Sequence, residues 1–514
     1  MLPQINITDL PAEILQTKPG LTNAIANDGK GDQDAIQAAV DWIAAQRTAG
    51  NMDKTTLYLP EGTFDLSKPV KVNTPDITFA GAGLGKTILK NAESFQVGIQ
   101  GLMDKGIDDS EINRNAYLFT LGQKANNTTF TEMTLTGPTV HGALYGFKAD
   151  GLVIKNVEFN DFAWSSVRLF NMSRVQISDN VFFDAGGNLE KPDVTGGAIY
   201  ATYLSDSEIG NNKISKREGG SDKKFFGIKG RQFTQTHIHH NTIKTNFAIE
   251  LPFEDDSFVE IDHNFLGGTV SIPKFSGGKV PPGGFTFRIH HNYFTNSYAL
   301  EWTRNGAEIS HNVFVFDPKR DSGNLISSFG QEPAAGATKF YNNLIQNPGR
   351  GLFWSKGVYN NFSFYNNEVI ANKTETPRTE GLFGFSGDTN FKTIEIRDNI
   401  IKVQGLSRPL MRNAESYSAN IKNNEFVNIT DIDQFENPKT GAQRGLIEPL
   451  VFQVGAHGEF SVDGVKVSQS SEEKPKEEKR GQFPGPIWLL LGLLGPLGVW
   501  LILHMRKQHA NASK

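Results

Sequence analysis

The chain has 514 residues, and its 51 Lys and Arg against 56 Asp and Glu leave a net charge of −5, which argues against a strongly basic nucleic-acid-binding surface. It contains no cysteine, which excludes disulfides, thiolate metal sites and a cysteine nucleophile. A hydrophobic content of 38% makes the bulk globular, and 52 Gly with 37 Phe suit a turn-rich β protein with a deep core.

Residues 1–24 read as an N-terminal extension. Met1 to Gly20 has no basic n-region and no apolar h-region, so no signal peptide is visible. Asp34 to Gln46 then places Ile36, Val40, Ile43 and Ala44 on one helical face, with Asp32 or Asp34 able to cap its start. Such a helix is expected to plug the open end of a stacked sheet, where unpaired strands invite aggregation. Gly81 to Thr87 (GAGLGKT) ends like a phosphate loop, but Ala80 stands where that motif needs its first glycine, so the segment is read as structure.

One pattern then recurs: apolar, any, apolar, two polar residues, Asn, any, apolar. Asn156, Asn180, Asn212, Asn241, Asn264, Asn292, Asn312, Asn343, Asn367, Asn399 and Asn424 carry it, on average about 27 residues apart. Self-similarity at that period signals a solenoid. Within each unit the apolar residues alternate, so the elements are strands, and no helical pattern of about twelve residues separates them. Each unit fits one coil of a parallel β-helix, with an Asn at the same bend of each coil donating its amide to the Asn of the next.

These residues reach a resemblance. Asn27 to Val40 (NDGKGDQDAIQAAV) resembles the opening of the pectate-lyase-like right-handed β-helix superfamily, and Leu57 to Phe64 (LYLPEGTF) and Ile77 to Leu89 (ITFAGAGLGKTIL) resemble its next two markers. The resemblance implies an all-β fold. Residues 25–465 are expected to form a right-handed parallel β-helix of about 11 or more coils with an N-terminal capping helix. That superfamily holds polysaccharide lyases, glycoside hydrolases, uronan epimerases and phage tailspikes, so the resemblance implies glycan chemistry without choosing a reaction. The paired-Asp, GHG and RIK signatures of polygalacturonases and the DPH motif of alginate epimerases are absent.

A second strand follows the ladder Asn in most coils. Alternation turns Val167, Ile199, Ile228, Ile249 and Leu300 inward and Arg168, Tyr200, Lys229, Glu250 and Glu301 outward, with Arg231 on the same side as Lys229. Coils spaced about 4.8 Å apart stack these into one polar stripe suited to an elongated, anionic glycan. Arg217, Lys274 and Arg304 add positive charge nearby, and Trp302 can stack on a sugar ring. In β-elimination, Lys229 is the candidate base, Arg231 or Arg168 the neutraliser of the developing charge and Tyr200 the acid. Several lyase families with this fold resemble this arrangement, with a Lys on one coil and an Arg on the next; here the next coil offers Glu250. In hydrolysis, Glu250 and Glu301 flank the bond, two coils or roughly 9–10 Å apart, at the edge of the inverting separation of about 6.5–9.5 Å. The leading expectation is a lyase acting on a uronate-containing glycan. The alternatives are a glycoside hydrolase using Glu250 and a second carboxylate, and a non-catalytic glycan-binding surface protein.

Glu254, Asp255 and Asp256, with Asp262, are candidate Ca²⁺ ligands because that ion takes clustered oxygens. His240, His263, His291 and His311 each precede a ladder Asn and read as imidazoles stacked at a bend. Residues 466–485 form a charged linker. Residues 486–504 are an apolar segment, of which the 18 uncharged residues 486–503 span roughly 27 Å as a helix, enough to cross a bilayer, and 505–514 a basic tail. The expected location is the cell envelope, with the β-helix exported and this single helix as its anchor. The sequence sets no oligomeric state.

Overall fold

The structure is a computed structural model that describes residues 4–95, 115–185, 196–216, 225–251, 258–272, 287–295, 299–302, 307–315, 324–328, 337–346, 348, 351–355, 358–371, 381–385, 390–405, 407–412, 419–430, 452–454, 460–462 and 465–467. Each coil supplies three short strands. Val259–Asp262, Phe265–Leu266 and Thr269–Ile272 make one coil, and each pairs in parallel with its counterpart on the next, Phe287–His290, Tyr293–Phe294 and Leu300–Trp302. All the coils join in one continuous sheet, a parallel β-helix.

Alternation builds the interior. Ile154, Ile177, Ile209, Ile238, Ile261, Ile289 and Ile309 stand in register on successive coils and are followed by Phe340, Phe364, Ile396 and Ile421. None is more than 2% exposed. Each such side chain contributes about 1.5–3 kcal/mol by leaving water. Stacked rings such as Phe159 on Phe182, with centroids 4.6 Å apart, continue the core on the neighbouring face.

The asparagine ladder lies between the first and second strand of each coil. From Asn180 through Asn212, Asn241, Asn264, Asn292, Asn312, Asn343, Asn367 and Asn399 to Asn424, each Nδ2 donates to the next Oδ1 at 2.9–3.1 Å. Asn156 does not belong to it. Val157 holds the ladder position and donates its N–H to Asn180 Oδ1 at 2.9 Å. Asn156 sits one residue earlier, at φ 51°, and its amide meets Glu132. That earlier position is left-handed in every coil of the ladder, and Asn tolerates it well, so residue type alone misplaced the register by one.

Near the N-terminus, a helix spans Gln33–Thr48 and buries Ala35, Ile36, Ala39, Val40 and Ile43. Ala44 is only half-buried, because the face in contact is centred on Ala39. Gln37 ties the helix to the strand Val70–Val72 by accepting from Lys71 N at 2.7 Å and donating to Lys71 O at 3.0 Å. Asp32 does not cap the helix with its side chain. Its carboxylate instead accepts from Ile25 N and Asp65 N, both at 2.9 Å, and burial pushes it up to about 6. The GAGLGKT segment joins the strands Ile77–Gly81 and Thr87–Asn91, so the helix that a phosphate loop requires is replaced by a strand.

Three short strands, Phe452–Val454, Phe460–Val462 and Val465–Val467, pair antiparallel beyond the parallel array. Among the described residues no helix is long and apolar enough to cross a membrane, and the expected 486–504 segment lies outside those residues.

Candidate functional site

The third strand of each coil presents its outward residues in one row. Tyr145, Arg168, Tyr200, Lys229, Glu250, Ser271 and Glu301 are successive partners, and Ser327, Trp354 and Gly384 continue the row. Their inward neighbours Val167, Ile199, Ile228, Ile249, Val270 and Leu300 are fully buried. Parallel pairing fixes the step at about 4.8 Å, so Glu250 and Glu301 are two steps apart with Ser271 between them. Arg231 stands in the adjacent row, opposite Thr202.

At the centre of the row Lys229 Nζ lies 3.3 Å from Glu250 Oε1, and both side chains are largely screened, at 17% and 19% exposure. The ammonium also lies 4.3 Å from the Phe226 ring centroid and 5.8 Å from that of Tyr200. An ion-paired ammonium is a donor with no lone pair, so the resting pair is arranged to hold a proton. Further along, Ser271 Oγ donates to Glu301 Oε2 at 3.1 Å, which orients that carboxylate along the row. Ser271 was missed from the sequence because its slot carries a small hydroxyl rather than a charge.

Arg168 differs from the outward, solvated residue that alternation suggests: it is only 5% exposed. Its Nη1 donates to Leu169 O at 2.7 Å and Thr202 Oγ1 at 3.1 Å, and its guanidinium carbon lies 4.2 Å above the Tyr200 ring. The cause is a cluster of aromatic rings on the outer face that sequence reasoning did not find. Tyr117, Tyr145 and Trp164 are buried there, with Tyr200 and Phe147 against them. His141 bridges Tyr117 and Trp164 at ring distances of 6.1 and 5.7 Å. Tyr145 lies 5.5 Å from Tyr117, and Trp164 5.6 Å from Tyr200. Burial drives the Tyr117 phenol far up and the His141 imidazole down to about 4. Gly142 makes room for the cluster, since a Cβ there would come within 1.8 Å of Ser165 O and 2.5 Å of Tyr117 Cε1. The available signal was that Tyr117 and Tyr145 share strands with buried neighbours just before the charged row.

Other expected residues fall elsewhere. Trp302 is in register with Ile272 and Ser328, but its side chain is outside what the structure describes. Arg217, Lys274 and Arg304, and the candidate calcium ligands Glu254, Asp255 and Asp256, also lie outside the described residues. Asp262 is engaged by histidines: its carboxylate meets His237 Nε2 and, at 2.6 Å, His263 Nδ1. Among the described residues no group of three His, Cys, Asp or Glu side chains is placed to hold a metal ion. His240, His263, His291 and His311 do stack, with centroids 5.0, 5.1 and 4.9 Å apart and planes within 9° of parallel.

The sequence profile of the family described as "Rhamnogalacturonase A/epimerase, pectate lyase-like" matches residues 22–251. Pectinesterase 2 of Citrus sinensis is 35% identical over 82 residues, which is 16% of this chain and 15% of that protein's length. A double mutant of the tailspike protein of E. coli bacteriophage HK620 aligns with a TM-score of 0.55 at 10% identity, over 84% of this chain and 78% of the tailspike. A further mutant of that tailspike, in complex with a hexasaccharide, aligns with a TM-score of 0.57 at 9% identity, over 84% and 77%.

Proposed function

We propose that the chain is a member of the pectate-lyase-like parallel β-helix superfamily and that it cleaves an acidic, uronate-containing polysaccharide by β-elimination at Lys229. The observation that carries this reading is the unbroken row from Arg168 through Tyr200, Lys229, Glu250 and Ser271 to Glu301 on one face. An extended glycan laid across the coils meets the partly exposed Tyr200, Lys229, Glu250 and Glu301. A tailspike with the same fold holds a hexasaccharide, which supports a glycan as the ligand class.

In the reaction, Lys229 acts as the free amine once its pair with Glu250, at 3.3 Å, has opened and its proton has gone to solvent. The free amine then takes the proton α to the sugar carboxylate. The electron pair left behind forms the ring double bond, the glycosidic C–O bond breaks, and the leaving oxygen receives a proton from Tyr200, one coil away. Arg231, two residues along the strand from Lys229, stabilises the charge that develops on the carboxylate. The 486–504 segment supports a location at the cell envelope with the β-helix exported.

Hydrolysis is the second reading, favoured by the two-step separation of Glu250 and Glu301 and by the orientation Ser271 gives Glu301. The full chain is to be incubated with uronans and neutral glycans while ultraviolet absorbance of unsaturated ends and total reducing ends are followed together. β-Elimination predicts that both rise on a uronan and that Lys229→Ala abolishes both. Reducing ends rising alone would overturn elimination in favour of Glu250 and Glu301. Tight binding with neither signal would reduce the protein to a binding module.

A further inference from the structure

Beside the polar row runs a second outward row on the same strands. Phe147, Phe170, Thr202 and Arg231 are its successive partners, two residues along from Tyr145, Arg168, Tyr200 and Lys229. The Phe147 and Phe170 rings are half-buried and stack at 5.6 Å with planes 9° apart, and Lys148 Nζ lies 5.1 Å from the Phe147 centroid. The strand then bends. Lys148, Asn171, Tyr203 and Gln232 take the bend on successive coils at φ 54°, 52°, 57° and 49°.

Tyr203 is out of place there. A bulky side chain is strained in the left-handed region, which Asn tolerates well. Among the described non-glycine residues with positive φ, all the others are amides, imidazoles or charged, and Tyr203 is the single phenol. It is also 43% exposed, the only aromatic among the large apolar side chains exposed in the described residues. Its ring meets that of Phe170 edge to face, with centroids 5.6 Å apart and planes at 89°. Neither backbone ease nor core packing accounts for a tyrosine at this bend. Strain kept in order to display a ring is typical of binding positions, and Tyr offers a broad, rigid contact area at low entropic cost. No described cation lies over the Tyr203 ring, in contrast to Phe147 and Tyr200, so nothing at this ring selects charge.

We propose that Tyr203, backed by Phe170 and Phe147, is a stacking platform for the C–H face of a neutral sugar carried as a side branch on the acidic glycan. The branch follows from placement. Tyr203 lies on the strand of Tyr200, three residues or about 10 Å sideways from the polar row. A main chain laid along the row passes beside the platform, and a sugar projecting sideways from it reaches the ring. The platform rests on the glycan reading above and narrows its substrate to a branched acidic polysaccharide.

The test is calorimetric titration of the full chain with two probes of equal backbone length, a linear oligogalacturonide and the same oligomer bearing single xylose branches. The wild type is expected to bind the branched probe roughly 5- to 10-fold more tightly, the worth of covering the exposed part of one aromatic side chain. Tyr203→Asn, which copies the neighbouring bend at Asn171, should erase that ratio, and Tyr203→Trp should keep it. The Asn variant also relieves the strained bend, so its denaturation midpoint is expected to hold or rise. A tyrosine kept for packing would instead give a lowered midpoint and an unchanged ratio, which overturns the proposal.

Equal wild-type affinity for the two probes, or binding of neither, also overturns it. Should Tyr203→Asn fail to fold, Tyr203→Gln, copied from the bend at Gln232, takes its place under the same criteria. Lys229→Ala separates the platform from the cleavage reading. Turnover surviving in that variant sinks catalysis at Lys229 and leaves the platform standing. A branch preference lost in Tyr203→Asn, with turnover lost in Lys229→Ala, supports both.

Discussion

Each ladder asparagine uses its whole amide. Asn264 Nδ2 meets Ile238 O, Asp262 O and Asn292 Oδ1 at 2.8–2.9 Å, and its Oδ1 takes both the N–H and the amide of Asn241. No other side chain of that size carries a two-hydrogen donor and a carbonyl acceptor on one planar group, which is why the repeat was readable from Asn alone. Asn264→Ala strands several buried groups and should lower unfolding stability by about 3 kcal/mol, measured by denaturant titration. Gly142 shows the opposite case, a residue whose importance the sequence hid. Its constraint comes from Ser165 O and Tyr117, which only the coiling brings together. Gly142→Ala should cost about 3 kcal/mol or more and expose the Tyr117 cluster, seen as a change in near-ultraviolet circular dichroism. The burial of Arg168 was hidden for the same reason, since Tyr200 and Thr202 cover it from the next coil.

Among the elements, the bend before the ladder is the most chemically loaded. His240, His263, His291 and His311 adopt φ between 53° and 57°, a conformation that Asn342 and Asn366 take in later coils. Stacking was foreseeable from four histidines at one repeat position; the acidic partners were not. Asp262 sits between His237 and His263, and Glu208 and Glu260 meet His239 and His290. Burial opposes ionisation of Asp262, but the two histidine contacts outweigh it and hold the carboxylate well below its usual range. His240 is pushed down to about 4, first by burial and then by the neighbouring His239 and His263. An unfolded histidine takes its proton near 6.5. Above that pH neither state is charged at His240 and nothing is lost. As the pH falls from about 6.5 to about 4 the unfolded chain gains a proton that the folded chain refuses, and stability declines. His141, also pushed down to about 4 by burial, acts in the same direction over the same window. The melting temperature should therefore drop across that range, and His240→Asn, which suits the left-handed bend, should make the decline shallower. An identical pH profile in that variant would remove His240 from the account.

At the scale of the molecule, the solenoid turns a one-residue alternation into a ruler. The fold was legible because each coil repeats the same problem, an apolar interior and a satisfied bend, and solves it with the same residue types. The charged row was legible for the same reason: alternation fixes which side a residue takes, and parallel pairing fixes its neighbours. What closes the row at the Arg168 end, and what neutralises Lys229, depends on contacts between coils that no periodicity encodes. From Arg168 to Glu301 the row covers five steps, about 24 Å. If that row is the seat of function, it must read a chain rather than a single sugar. The most direct measurement is binding affinity of the full chain for a series of acidic oligosaccharides of increasing length. Affinity is predicted to climb with each added ring until the oligomer spans the row, and then to level off. A single uronate ring that binds as tightly as the longest oligomer, or neutral oligomers that bind equally well, would contradict the account.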